Sequence, residues 1–227
     1  MTKSTPIEYG KYYHIYNRGI NSCNLFVDKN DYEYFLKLYT KYIDPIANTY
    51  AWCLMTNHFH FLIRIKEENE IGYYKSLNSN SNGSNDSVRF KITEDLSEFK
   101  EPESVLKPKP IKHFSHLFNV YAKYFNKKYN RHGSLFEKAF RRKLIANESY
   151  LKYLVYYIHH NPVHHNFTDK ISEYQWSSFQ SILSLKETKL IRKDVIEWFD
   201  DLNNLIFFHK QQHELNQLKD QLIEDSI

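Results

Sequence analysis

Two histidines one residue apart, His58 and His60, are the clearest candidates for chemistry in this sequence. The run from His58 to Ile65 is rich in β-forming residues, and side chains alternate between the two faces of a strand. Both imidazoles would then lie on one face, with Phe59 and Phe61 on the other. Two adjacent imidazoles form half a metal site, although an isolated His-x-His is more often a pair of surface histidines.

A stripe of tyrosines on a predicted helix supplies the second set of candidates. Tyr153 and Tyr157 recur at helical spacing, and Asn161 follows Tyr157 by four residues, which would place its amide one turn further on. Because Pro162 disfavours helical geometry at the preceding residue, we expect the helix to end at His160 and the amide to turn toward a ligand. A purely structural tyrosine at the boundary of the core, followed by the end of the helix, would give the same pattern. Spacing alone does not choose between Tyr153 and Tyr157.

A basic block over residues 107–143 suggests a polyanionic partner. This segment carries a net charge of +10 and the rest of the chain −6, which the overall value of +4 conceals. Phenylalanine and tyrosine residues interleave with the cations, a combination that suits nucleic acid. A solvated amphipathic helix with lysines on its wet face explains the charge equally well. The candidate DNA contacts are Arg18, Lys123, Lys127, Lys128, Arg131, Lys138, Arg141, Arg142 and Lys143.

Length and composition limit the class of protein to which this chain can belong. The chain of 227 residues has the length of one ordinary domain or of a domain with an appendage, and its 17% aromatic content is carried mainly by 19 Tyr and 16 Phe. Cys23 and Cys53 are too few for a disulfide framework or a cysteine-based zinc site. No apolar run has membrane-spanning length, and the N-terminus has no apolar signal region. We therefore expect a cytoplasmic protein with no membrane partner.

The elements that must position these residues alternate along the chain. We expect strands over 12–18, 50–55, 58–65 and 140–146, and helices over 28–46, 113–129 and 148–160. This order describes a split βαβ unit and predicts an α+β fold, a ferredoxin-like or RRM-like antiparallel sheet with helices packed on one face. The expected division is a catalytic domain over 1–180, with a flexible insertion at about 67–112, and a C-terminal helical appendage over 181–227.

Four short motifs follow one another along the chain. They read Tyr-Tyr-His-Ile-Tyr-Asn-Arg-Gly at 12–19, Cys-Leu-Met-Thr-Asn-His-Phe-His at 53–60, Tyr-Ile-His-His-Asn-Pro-Val at 157–163 and Tyr-Gln-Trp-Ser-Ser-Phe at 174–179. Together they resemble the single-tyrosine HUH transposases of the insertion-sequence class, and within it the REP-associated tyrosine transposases. Thr56 stands where the family often has proline, and Lys138-Ala-Phe140 stands where it often has Gly-Arg-Phe.

The resemblance implies a domain that acts on single-stranded or hairpin DNA. It makes His58 and His60 paired ligands of a divalent ion, Mg²⁺ or Mn²⁺, with Asn161 as the third ligand, and it selects Tyr157 over Tyr153 as the nucleophile. The implied reaction cleaves and rejoins DNA through a 5′-phosphotyrosine, and because relatives include dimers it also allows a homodimer. Two rival hypotheses are a DNA-binding module that keeps the fold without cutting and a nuclease in which water attacks.

Overall fold

The computed structural model describes residues 6–75, 92–93, 105–137 and 140–211. Most of the expected insertion, the candidate DNA contact Lys138 and the C-terminal end lie outside these residues. The strands are β1 (Tyr12–Arg18), β2 (Ala47–Met55), β3 (His58–Ile65), β4 (Tyr73–Lys75), β5 (Ile92–Thr93), β6 (Val105–Leu106) and β7 (Arg141–Ile145). The helices are α1 (Lys29–Tyr42), α2 (Pro110–Lys128), α3 (Glu148–His164), α4 (Phe179–Leu183), α5 (Arg192–Trp198) and α6 (Leu202–Lys210).

One antiparallel sheet organises the molecule. Its four strands lie in the order β2-β3-β1-β7, so that β3 and β1 are central and β7 is an edge strand. Each neighbouring pair is antiparallel. A second, three-stranded sheet pairs β4 with β5 and β6. The α+β class and the ferredoxin-like strand order expected from the sequence are therefore confirmed.

The two faces of the main sheet carry different helices. Tyr13 and Ile15 of β1 and Phe59 and Phe61 of β3 pack with α1 and α2 in one hydrophobic cluster. Leu62, on the alternate face of β3, belongs to a second cluster with α3. The expectation of helices on one face holds for α1 and α2 but is wrong for α3, because α3 carries its own apolar stripe and covers the opposite face.

The helices after α3 join that second cluster. Phe179 of α4, Val195 of α5 and Leu205 of α6 are all buried in it, together with Leu154 of α3. Apolar burial of this kind stabilises the contact of the C-terminal helices with α3 and β2. The division into a catalytic domain and an appendage stays a prediction.

The end of α3 differs from the expectation. The helix continues through Pro162 to His164 rather than ending at His160. A proline removes one hydrogen bond of a helix but leaves the bonds on either side, and here the N–H of His165 still donates to the carbonyl of Asn161 at 3.0 Å. Asn161 is consequently a buried helical residue with a fixed direction.

A buried ion pair joins the start of α1 to the end of α2. The Asp31 side chain is 0% exposed and accepts from the backbone N–H groups of Val27 and Asp28 at 2.8 and 3.2 Å. It also accepts from the Tyr129 hydroxyl and the Lys128 ammonium, each at 2.7 Å. Burial raises the pKa of Asp31, but these hydrogen bonds outweigh it and hold the pKa below its usual value.

None of the helices among the described residues is long and apolar enough to cross a membrane.

Replacing Asp31 by alanine should lower the free energy of unfolding by about 3 kcal/mol, because the N–H groups of Val27 and Asp28 and the Tyr129 hydroxyl lose their buried acceptor. Replacing Asp28, whose carboxylate is half-exposed, should lower the free energy of unfolding by less, through the loss of a helix cap. Urea unfolding of the two variants measures the difference. Equal losses would show that the buried carboxylate is not the main anchor between α1 and α2.

Candidate active site

β3 carries the two histidines on the face that α3 covers. His58 and His60 are both buried, and their rings are 5.2 Å apart between centroids. The turn before β3 is fixed by backbone hydrogen bonds, since Gly19 donates to the Asn57 carbonyl at 2.8 Å and Leu25 donates to the Thr56 carbonyl at 2.8 Å. The pair therefore sits on a rigid hairpin in the centre of the sheet.

α3 brings Asn161 and Tyr157 to the histidine pair. The Asn161 Oδ1 atom lies 3.0 Å from Nε2 of His58. The ring of Tyr157 stands edge-on to His60, with centroids 5.5 Å apart. These contacts join residues about a hundred positions apart in the sequence, and they collect the four residues that the resemblance selected into one place.

The structure also separates the two tyrosines that spacing left open. Tyr153 is buried within the second cluster, and burial raises its pKa to about 12. Tyr157 is half-buried and faces His60 and His14. Of the two phenols, Tyr157 is therefore the one that lies beside the histidines.

Burial keeps the site histidines neutral. It lowers the pKa of His58 to about 4 and that of His60 well below its ordinary value. Burial also raises the pKa of Tyr157. At neutral pH the site thus offers imidazole lone pairs and a protonated phenol.

The donor set fits a divalent cation. The Asn57 Oδ1 atom lies 2.7 Å from Nδ1 of His58, so Nδ1–H donates to it and the neutral ring presents only a lone pair at Nε2. That lone pair meets another acceptor, Oδ1 of Asn161, at 3.0 Å. The Nδ2 group of Asn161 is buried and has no partner among the described residues. Two converging acceptors are satisfied by a cation between them.

His60 and His58, with the Asn161 oxygen, are the residues that could hold such an ion. Within the described ranges no group of three or more His, Cys, Asp or Glu side chains is arranged to bind a metal. A site here would depend on the amide oxygen as its third protein ligand, and amide oxygens suit Mg²⁺ and Mn²⁺.

His14 is a site residue that the sequence analysis missed. It is buried on β1, and its Nε2 atom lies 2.9 Å from Nδ1 of His60. A proton on Nδ1 of His60 would make that contact a hydrogen bond and leave Nε2 of His60 as a lone pair. The alternation of side chains along β1 places His14 on the same face as Tyr16 and Arg18. Only the pairing of β1 with β3 shows that this face is the one that carries the histidine pair.

A concavity opens beside the histidine pair at the end of β1. It is lined by Tyr16, Asn17, Arg18, His58, His60, Glu137 and Arg141. Arg18 pairs directly with His58 across the β1–β3 ladder, and Arg141 pairs with Tyr16 across the β1–β7 ladder. The guanidinium of Arg141 lies 6.0 Å from the Tyr16 ring centre and 4.0 Å from the Glu137 carboxylate.

The remaining basic candidates are dispersed. Lys143 shares the site face of β7 and lies 5.5 Å from the Tyr150 ring, whereas Arg142 points to the opposite face and lies 5.2 Å from the Phe140 ring. Arg131 approaches Phe125. Two lysines of α2, Lys123 and Lys127, are exposed on the helix that covers the opposite face.

Lys128 has a structural role. Its ammonium is engaged by Asp28 and Asp31 at 2.8 and 2.7 Å, which explains its presence without DNA. A contact of Lys128 with DNA stays a prediction.

A buried hydrogen-bond chain ties α3 to its surroundings behind Tyr157. The Leu205 carbonyl can only accept, so Nδ1 of His209 donates to it at 2.8 Å and Nε2 of His209 accepts from Nδ1 of His159 at 3.0 Å. Nε2 of His159 then accepts from the Ser178 hydroxyl at 2.8 Å, which itself accepts from the Trp52 N–H at 2.9 Å. The chain links α6, α3 and β2 through two neutral imidazoles.

The fold is that of a solved tyrosine transposase. A structure of a REP-associated tyrosine transposase bound to a REP hairpin superposes with a TM-score of 0.54, covering 81% of this chain and 86% of the other. The sequences are 13% identical, so the likeness concerns the fold. No protein-family model and no curated protein matches the chain.

Replacing His14 by alanine should weaken Mn²⁺ binding by about 10-fold or more, because His60 loses the group that fixes its tautomer and ring direction. His14→Gln keeps an acceptor for Nδ1–H and should recover part of the affinity. Calorimetric titration of the protein with Mn²⁺ measures both. Unchanged affinity in His14→Ala would remove His14 from the site.

The buried imidazole chain should make folding sensitive to acid. Burial lowers the pKa of His209 to about 4, so the folded state resists protonation while the unfolded chain accepts a proton near pH 6.5. Stability is then present above about pH 6.5 and is lost as pH falls toward about 4. In His209→Gln, urea unfolding should show a pH slope shallower by up to about 1.4 kcal/mol per unit in that window. Identical slopes would contradict this account.

Proposed function

We propose that this protein is a transposase-like enzyme that cleaves and rejoins single-stranded DNA through Tyr157. The observation that carries the proposal is the convergence of Tyr157, His58, His60 and Asn161 from β3 and α3. A fold shared with a hairpin-bound tyrosine transposase supports DNA as the substrate. The nucleophile and the histidine pair come from the same chain in this arrangement.

The residues divide the chemistry between them. His58, His60 and Asn161 would hold a divalent ion, Mg²⁺ or Mn²⁺, and this ion would stabilise the negative charge that develops on the phosphate. The Tyr157 oxygen gives up its proton to solvent water and forms a bond to phosphorus. The bond between phosphorus and the 3′ oxygen breaks, and that oxygen takes a proton from water to become a free hydroxyl.

The covalent product keeps a reactive phosphoester bond that can be used for rejoining. Cleavage leaves a 5′-phosphotyrosine, and a phenolate is a good leaving group when a 3′-hydroxyl attacks the phosphorus in the reverse step. Strand transfer follows if the attacking hydroxyl belongs to another strand.

The edge strand β7 is the proposed path of the DNA backbone. Arg141 and Lys143 lie on the same face of the sheet as the histidine pair, and Arg142 lies on the other face of the same strand. Cations on both sides of an exposed edge can contact phosphates of a hairpin and of its flanking strand. Lys123, Lys127 and Arg131 would extend this surface on the side of α2.

The decisive experiment follows the covalent bond. Wild-type protein incubated with Mn²⁺ and a 3′-labelled hairpin oligonucleotide should give a labelled adduct that survives denaturation, since the 5′-phosphate side stays on the protein. Tyr157→Phe should abolish the adduct. Tyr153→Phe, one helical turn away and buried, is the matched control and should retain it.

Each other outcome excludes part of the proposal. An adduct that persists in Tyr157→Phe would refute the nucleophile, and cleavage without any adduct would indicate attack by water. Hairpin binding with neither cleavage nor adduct would indicate a non-cleaving DNA-binding module. A homodimer, which the resemblance allows, and a cytoplasmic location, which the sequence leads us to expect, are compatible with the reaction proposed here.

A further inference from the structure

Arg18 holds a guanidinium at the rim of the histidine site. It is the last residue of β1 and the direct antiparallel partner of His58, so both side chains lie on the face that α3 covers. It lines the concavity together with His58 and His60.

The backbone around Arg18 is fixed from both sides. Its N–H donates to Oδ1 of Asn17 at 2.8 Å, and its carbonyl accepts from the N–H of Glu137 at 2.9 Å. Gly19 follows, where an added Cβ would collide with the Cys23 carbonyl. The guanidinium therefore projects from an anchored strand end rather than from a loose loop.

The guanidinium is incompletely paired. Its Nε atom is buried, and no hydrogen-bond partner for it exists in the part of the chain that the structure describes. A buried donor without an acceptor destabilises the folded state, and the effect is larger when the group is charged. Such a cost at a functional site is offset when a ligand supplies the acceptor.

The charge of the concavity indicates the kind of ligand. Two guanidiniums, Arg18 and Arg141, face a single carboxylate, Glu137, and Glu137 lies 4.0 Å from Arg141. The net charge of these three groups is positive. A planar guanidinium matches the oxygens of a phosphate, to which it can donate two hydrogen bonds.

We propose that Arg18 is a catalytic residue that binds a non-bridging oxygen of the phosphate attacked by Tyr157. This inference rests on the proposed function and deepens it. Arg18 stabilises the negative charge that develops as the Tyr157 oxygen adds to phosphorus and the 3′ oxygen departs. Its role differs from that of the β7 cations, which contact phosphates that do not react.

Single-turnover kinetics separates this role from simple DNA binding. Arg18→Ala should slow adduct formation by about 100-fold or more, while affinity for the hairpin changes by about threefold or less. Arg18→Lys keeps the charge without the planar fork and should stay well below the wild-type rate. The matched control is Arg64→Ala, because Arg64 lies on β3 and is engaged by Glu67 and Glu70. It should cleave at the wild-type rate.

A substrate with an uncharged phosphate tests the contact directly. A methylphosphonate at the scissile position removes one negative oxygen, so for one of its two diastereomers the defect of Arg18→Ala relative to wild type should nearly disappear. A defect of equal size on the phosphate and on both diastereomers would overturn the assignment. The same comparison for Arg141→Ala should show no such rescue.

Failure of the inference is distinguishable from failure of the proposed function. Wild-type protein that forms no adduct overturns the proposed function and with it the role of Arg18. Wild-type protein that forms the adduct, together with an Arg18→Ala variant of equal rate, overturns only the role of Arg18. If Arg18→Ala does not fold, the rates of Arg18→Lys on the phosphate and on the two methylphosphonate diastereomers test the same contact.

Discussion

The alternation of side chains along β3 is the constraint on which the site depends. Phe59 and Phe61 point into the core with α1 and α2, and this forces His58 and His60 to the other face. A shift of register by one residue would exchange the two sets and bury aromatic rings where α3 now packs. The hydrophobic core thus fixes the direction of the histidines before any ligand is bound.

The site is assembled from polar groups whose burial is costly without ligands. Neutral imidazoles, an amide nitrogen and a buried guanidinium N–H lie within one sheet face and one helix, and neither the amide nitrogen nor the N–H has a hydrogen-bond partner among the described residues. Apolar residues at these positions would make the folded state more stable. The large cores on both faces of the sheet supply the stability that such an arrangement needs.

The sequence predicted the sheet and the motif residues, while contacts between distant segments came from the structure. Hydrophobic periodicity located the four main strands and the first three helices, because these patterns are local. The prediction that Pro162 stops α3 was wrong, since a proline near a helix end removes one bond without ending it. The roles of His14 and Lys128 depended on partners about 46 and 100 residues away, which no local pattern specifies.

α3 couples the site to the C-terminal helices. Tyr157 and Asn161 face the histidine pair, while His159, between them, bonds to His209 of α6 and to Ser178. Consecutive residues of one helix point in different directions. α6 therefore contacts α3 on a different side from the one that presents the Tyr157 phenol. Any movement of α6 that breaks the His159–His209 bond would therefore loosen the helix that carries Tyr157, which makes the C-terminal helices part of the support of the site.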